Sequence, residues 1–411
     1  MTIEKPKEGK VFTKYQVFII AILAIIQFTV VLDFMILSPL KPFLSEDMVI
    51  TASQFTTVIA AYAFSAGISG ILAAGFADKF DRKKILIFFY VGFVLGTLLC
   101  AIATDYISLL SARIFAGLFG GVISSVSFAI ISDLYKMEVR GRVMGFVQAA
   151  FAACQVLGLP IGLELANKFS WHSGFWMIVT FSALVAIVIF IYMKPIAEHL
   201  KLKSERSAFQ HLIKTTSQPN YLKAFLATTL LATGGFMLMP LAGDFAIKNL
   251  GLTKEQLTPF YTVTGVFSII FGPLLGKLSD KIGKYKMFVF GSIVAMVMVV
   301  IYCNRDVTPL ALAILINIIL YAGVSSRMIS SSALMTAVPE PQDRGAFMSI
   351  NSSVQQFSGG IASFITGIIV FEPKNGKLEN YDVLGYVVMV SMIVCVLMMY
   401  FINKYVNEKT Q

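Results

Sequence analysis

The chain of 411 residues is 57% apolar and 14% charged, with a mean hydropathy of +0.79. Charges that sparse cannot cover a water-soluble globule of this size, which excludes a soluble enzyme or an aqueous binding module. The formal net charge of +10 would suit a nucleic-acid partner, but the cations stand in short clusters between long apolar segments, so they read as membrane topology and no nucleic acid is expected.

In chain order, residues 1–14 form a polar tail without an apolar core of its own, so no cleaved signal peptide is expected. Twelve apolar segments follow, at 15–38, 53–77, 85–103, 106–133, 143–166, 173–193, 222–243, 257–278, 287–303, 309–336, 346–370 and 382–403. They run about 20 residues, enough to cross a roughly 30 Å hydrocarbon layer as a helix. Lipid offers no hydrogen bonds to bare backbone, so helices are predicted throughout. The fold class is therefore an all-α integral membrane protein, with twelve transmembrane helices in two pseudo-symmetric six-helix bundles. The bundles fall at 15–193 and 222–403, joined by a polar, basic linker at 194–221 and followed by a tail at 404–411.

The second bundle repeats the first. The turn Ala74-Gly-Phe-Ala-Asp78-Lys-Phe-Asp-Arg82 after span two stands opposite Gly276-Lys-Leu-Ser-Asp280-Lys-Ile-Gly-Lys284 after span eight. Thr51 and Gln54 match Thr253 and Gln256, each pair a capping box that opens a span; Gly121 matches Gly323, and Arg140 matches Arg344. With a cytoplasmic N-terminus, 24 of the 33 lysines and arginines lie in the tails and loops on that side, against 7 on the other. This bias predicts cytoplasmic termini and linker, and a bacterial cytoplasmic (inner) membrane as the location. Trp171 and Trp176 are expected as interfacial anchors of span six. Cys100, Cys154, Cys303 and Cys395 have neither pair nor metal spacing and read as packing residues. There is no phosphate loop and no nucleophile constellation, so an ATP-driven pump is disfavoured and no enzymatic activity, metal or other cofactor is expected.

The repeated turn resembles the pattern Gly-x-Leu-x-Asp-x-x-Gly-Arg/Lys-x-Lys/Arg of the major facilitator superfamily. The second copy matches at Gly276, Leu278, Asp280, Gly283 and Lys284; the first keeps Asp78 and Arg82 but has Ala74, Phe76 and Asp81 at the other three places. The resemblance covers nearly the whole chain. It implies two bundles that rock about a central site, with a charged latch at the cytoplasmic face made by Asp78, Arg82, Asp133 and Arg140 in the first half and Asp280, Lys284 and Arg344 in the second. Met335 or Ala337 stands where a second Asp133 is expected, so the latch is predicted to be stronger in the N-terminal half.

Charges inside spans carry the functional expectation, because an ionised group at mid-bilayer normally faces a cavity or a partner. Asp33 lies in Leu32-Asp-Phe-Met-Ile-Leu-Ser-Pro39, which is similar to the span-one motif of proton-coupled drug exporters, with Met35, Ser38, Pro39 and Lys41 departing from it. Arg113 stands in a Leu-x-x-x-Arg pattern that resembles span four of the superfamily, with Ala116 in place of a glutamine. Asp33 and Arg113 are expected to couple transport to protons. Arg327 sits in a serine-rich stripe of span ten and is expected to face the central cavity; Glu164 and Asp244, near the outer ends of spans five and seven, complete the expected substrate contacts. Two readings stay open. One is proton-coupled efflux of small amphipathic organic compounds; the other is selective uptake or exchange of an organic anion or metabolite held by Arg113 and Arg327. In both, the partners are a small-molecule substrate, the lipid bilayer and, in the first, protons, with the monomer expected to be the working unit.

Overall fold

The computed structural model describes residues 12–76, 79–135, 137–201, 215–340, 343–373 and 376–410. Twelve spans emerge: α1 (Lys14–Asp47), α2 (Ala52–Phe76), α3 (Arg82–Ala101), α4 (Tyr106–Leu134), a broken α5 (Met137–Gln148, Ala150–Ala153, Cys154–Gly158 and Leu159–Lys168), α6 (His172–Tyr192), α7 (Pro219–Phe236), α8 (Lys254–Ile282), α9 (Lys284–Cys303), α10 (Leu310–Ala337), α11 (Arg344–Ile369) and α12 (Tyr381–Thr410). Ten of them are long and apolar enough to cross a membrane by themselves; α7 and α11 complete the set. Their lipid-facing surface is apolar, with Leu72, Phe88, Phe190, Leu274 and Leu397 exposed, as a bilayer rather than water requires.

Helix starts follow local chemistry. Thr13 with Gln16, Thr51 with Gln54 and Thr253 with Gln256 exchange reciprocal cap bonds, and Asp81 accepts from the backbone N–H groups of Lys83 and Lys84 at the start of α3. Three spans depart from their predicted form. Span one, predicted to end at 38, runs to Asp47 with Pro39 and Pro42 inside it. The donors lost at the prolines are offset there by burial of Leu40, Phe43 and Leu44. Span five passes through a π-turn at Cys154–Gly158, directly before Pro160, whose ring would clash with the carbonyl four residues earlier in a regular helix. Span seven, predicted to run to 243, stops at Phe236 before Pro240 and resumes as a short helix, Ala242–Lys248. Trp176 keeps a 46% exposed position, whereas Trp171 is buried in the core under α6 rather than at an interface.

Residues 194–201, the start of α1 and the end of α12 share one end of the bundle, the linker end; the loops α1–α2, α7–α8 and α11–α12 share the far end. The halves touch toward the far end. α2 lies along α11, where Gly367 packs on Thr56, Gly360 on Phe64 and Gly67 on Phe357. α8 packs on residues 150–168 of α5, with Gly265 against the Gln155 carbonyl. Toward the linker end this contact stops, and a Cβ built at Gly145, Gly272 or Gly276 would meet nothing within 4 Å. The molecule is closed across its far end and parted toward the linker end.

Candidate functional site

α1 carries Asp33 against α3 and α4. Arg113 Nη1 donates to Asp33 Oδ2 at 2.7 Å and to its backbone carbonyl at 3.3 Å, and Thr97 Oγ1 donates to Oδ1 at 3.1 Å. Both charged side chains are fully buried. The guanidinium also lies 4.2 Å from the centre of the Tyr62 ring, a cation–π contact, and the Cys100 thiol sits beside it. The pair is specific to the N-terminal half. At the 202-residue offset that relates Thr51 to Thr253 and Asp78 to Asp280, Gly235 stands for Asp33 and Leu315 for Arg113. Sequence reasoning found both charges and missed Thr97 and Tyr62, because a lone threonine or tyrosine in an apolar helix carries no signal.

Arg327 is buried inside the C-terminal bundle. Its guanidinium lies 5.5 Å from the Phe288 ring of α9, with Cys395 of α12 beside it, and its Nε and Nη2 have no hydrogen-bond partner. The serines around it bond within the same bundle: Ser326 to the Met287 carbonyl, and Ser330 to Ser279. Ser326, Arg327 and Ser330 thus face α8, α9 and α12 rather than the space between the halves. Glu164 is half exposed and paired with Lys168 one turn on, at 2.9 Å.

Asp244 is fully buried and binds Lys41 of α1, also fully buried, and Lys248 at 3.1 Å. Glu372, in the α11–α12 loop, completes the cluster at 2.5 Å from Lys248 and 3.6 Å from Lys41. Four charges from both halves therefore clamp the far end, and Ser38 donates to the Met239 carbonyl just below them. Of these, sequence reasoning gave a role to Asp244 alone and noted Lys41 only as a departure from the span-one motif; its partner lies 203 residues away.

At the latch, Arg82 Nε meets Asp133 Oδ2 at 2.9 Å and Arg140 Nε donates to the Tyr135 carbonyl at 2.8 Å, all within the N-terminal half. Asp280 pairs with Lys284 on the surface. Asp78 lies outside the described residues, as does the side chain of Arg344, which opens α11. Beside it Asp343, not singled out from the sequence, accepts from Tyr221 Oη at 3.0 Å and ties α7 to α11.

A recess lined by Gln155, Leu159, Tyr261, Thr264, Gly265 and Tyr321 lies where α5, α8 and α10 meet. Gln155 belongs to the π-turn. Its walls offer an amide, two phenols and a threonine, with no carboxylate, lysine or arginine.

Two repeated six-helix bundles closed at one end of a shared axis, with a buried acid–base pair beside it, define a secondary membrane transporter. The Major Facilitator Superfamily profile matches residues 23–303 and 224–411, and the chain belongs to that superfamily. It is similar to the uncharacterized MFS-type transporter YceJ of Bacillus subtilis (strain 168), 28% identical over 269 residues, which are 65% of this chain and 68% of that protein. It is also 26% identical over 311 residues to Multidrug resistance protein 3 of the same organism, covering 75% of this chain but only 54% of the relative. Among solved structures, the crystal structure of a D-xylose-proton symporter superposes with a TM-score of 0.76 at 17% identity, over 95% of this chain and 98% of that one, a likeness of fold.

Proposed function

We propose that the protein is a proton-coupled exporter of small amphipathic organic compounds that works by alternating access, with Asp33 taking up and releasing the proton opposite Arg113. The observation that carries this reading is the fully buried Asp33–Arg113 pair. A carboxylate held so far from water exists there only with its partner, so adding a proton changes the forces on α1 and α4 directly. Multidrug resistance protein 3 among the relatives supports efflux. The excess of lysine and arginine at the linker end supports a cytoplasmic placement of that end, and with it an inward-facing reading of this structure. The anion reading loses its main support, because Arg327 faces α9 and α12.

The test is transport in proteoliposomes with imposed pH gradients and a panel of neutral, cationic and anionic compounds. Asp33→Asn keeps the shape and loses the titration, so gradient-driven flux should vanish while the fold and some substrate binding persist. Full gradient-driven flux in that variant, or flux of the parent that ignores the pH gradient, counts against the proposal.

A further inference from the structure

Every hydrogen-bonding and ring partner of the Asp33–Arg113 pair described above, Thr97, Tyr62 and Cys100, belongs to the N-terminal half. A proton there can move the two bundles only through a contact that crosses between them. Phe34, the next residue of α1, supplies one. The Tyr62 ring that carries Arg113 lies 5.6 Å from the Phe34 ring, and Phe34 meets Phe236 of α7 edge to face at 5.7 Å. Phe236 is seated on α11, where a Cβ at Gly359 would stand 3.2 Å from its ring.

The position of this contact is set by the repeat. Phe34 and Phe236 are 202 residues apart, the offset that relates the halves, so they are equivalent positions meeting across the pseudo-twofold axis. Equivalent points touch only close to the axis; at 5.7 Å the ring centres lie within about 3 Å of it. Down α1 and the end of α7, the contacts between the halves run from Lys41–Asp244 through Ser38–Met239 to Phe34–Phe236. Next along, Gly235 has nothing within 4 Å of a built Cβ. Of these three contacts the ring pair lies deepest.

We infer that Phe34 is the positioning residue through which the protonation of Asp33 controls closure of the far end; this rests on Asp33 as the proton carrier. A proton on the carboxylate turns it into a neutral acid and removes the charge from its bond to Arg113. The guanidinium is then held chiefly by the Tyr62 face, and a shift of Tyr62 bears on Phe34, whose seat on Phe236 must break for α1 and α7 to separate. Bundles packed this way switch between discrete arrangements, so loss of one axial contact is transmitted as a change of population.

Spin labels on cysteines placed at the exposed positions Ile107 and Val307 report the far-end distance, since the four native cysteines are buried. The full chain in lipid nanodiscs is compared at about pH 8 and about pH 5.5, a range over which ordinary surface carboxylates stay ionised. The parent should show a pH-driven change in the distance distribution. Phe34→Leu and Phe236→Leu, which keep most of the volume, should each cut that change at least about threefold while retaining proton uptake on an acid pulse and an unchanged Tm. Phe64→Leu, which removes a different ring pair across α2 and α11, should leave it intact. A full pH response in Phe34→Leu overturns the inference. A pH response that survives Asp33→Asn overturns it by a separate route, by removing Asp33 as the carrier, so the two failures are told apart.

Discussion

Asp33 and Arg113 are costly residues that neither lipid nor the other bundle relieves. With both fully buried, removing one partner strands the other charge and costs about 3–5 kcal/mol, whereas replacing the pair by apolar groups of similar size is often neutral. Arg113→Leu should therefore lower unfolding stability by about that much, while Asp33→Leu combined with Arg113→Leu should match the parent or exceed it. Denaturant titration of the parent, the two single variants and the double variant in mixed micelles decides it; additive losses would show that the two side chains do not act as a pair. At this scale the sequence was informative where a charge interrupts an apolar run, as at Asp33, Arg113 and Arg327. It was silent on Thr97 and Tyr62, whose meaning comes from the helices packed against them. It also misled at Arg327, because a serine-rich stripe marks a polar face without saying whether that face looks into a cavity or into the next helix.

The far-end clamp belongs to the elements that carry it: α1, the short helix Ala242–Lys248 and the α11–α12 loop. Lys41→Gln leaves Asp244 with Lys248 alone and should raise labelling of a cysteine placed at Ser38, buried below the clamp, at least about tenfold. Asp244→Asn added to it removes the stranded charge and should bring the rate partly back. Equal rates in all three proteins would show the clamp to be incidental to closure. Its pH dependence follows from Glu372. Burial pushes that carboxyl up, but the Lys248 and Lys41 ammonium groups outweigh burial and hold it below the ordinary value of 4.5. A depressed carboxyl contributes fully above its unfolded value and is lost as pH falls through the lower folded one. Closure through Glu372 should thus be unchanged from neutral pH down to about 4.5 and weaken only below it, and Glu372→Gln should abolish that acid limb of the far-end distance. The helices themselves were legible from apolar length and capping residues. Their interruptions were less so: Pro39 and Pro42 are absorbed in α1, while Pro160 and Pro240 reshape α5 and α7, and the difference lies in what surrounds each proline.

For the whole molecule, the quantity that matters is the balance between closure at the far end and closure at the linker end. Arg82 and Asp133 already meet at 2.9 Å with the linker end parted, so the charge that distinguishes the two states must come from elsewhere, and Asp78 is the expected source. Asp78→Asn should shift the resting population further toward the form seen here, because each state is favoured only by contacts the other lacks. Distances between labels at the linker ends of α5 and α10 measure this, and unchanged distributions would count against the latch. The sequence by itself determined the class of the molecule: sparse charge forces it into lipid, apolar length makes the spans helical, and the 202-residue repeat makes two alike halves, all local or periodic properties of the chain. Tertiary structure alone decided the contacts between the halves. Lys41 with Asp244 is brought together by helix packing, as are the rings of Phe34 and Phe236 at the axis between the halves, whereas Arg113 and Asp33 were already expected to work together; no local pattern in the chain records on which side of a helix its neighbour will lie.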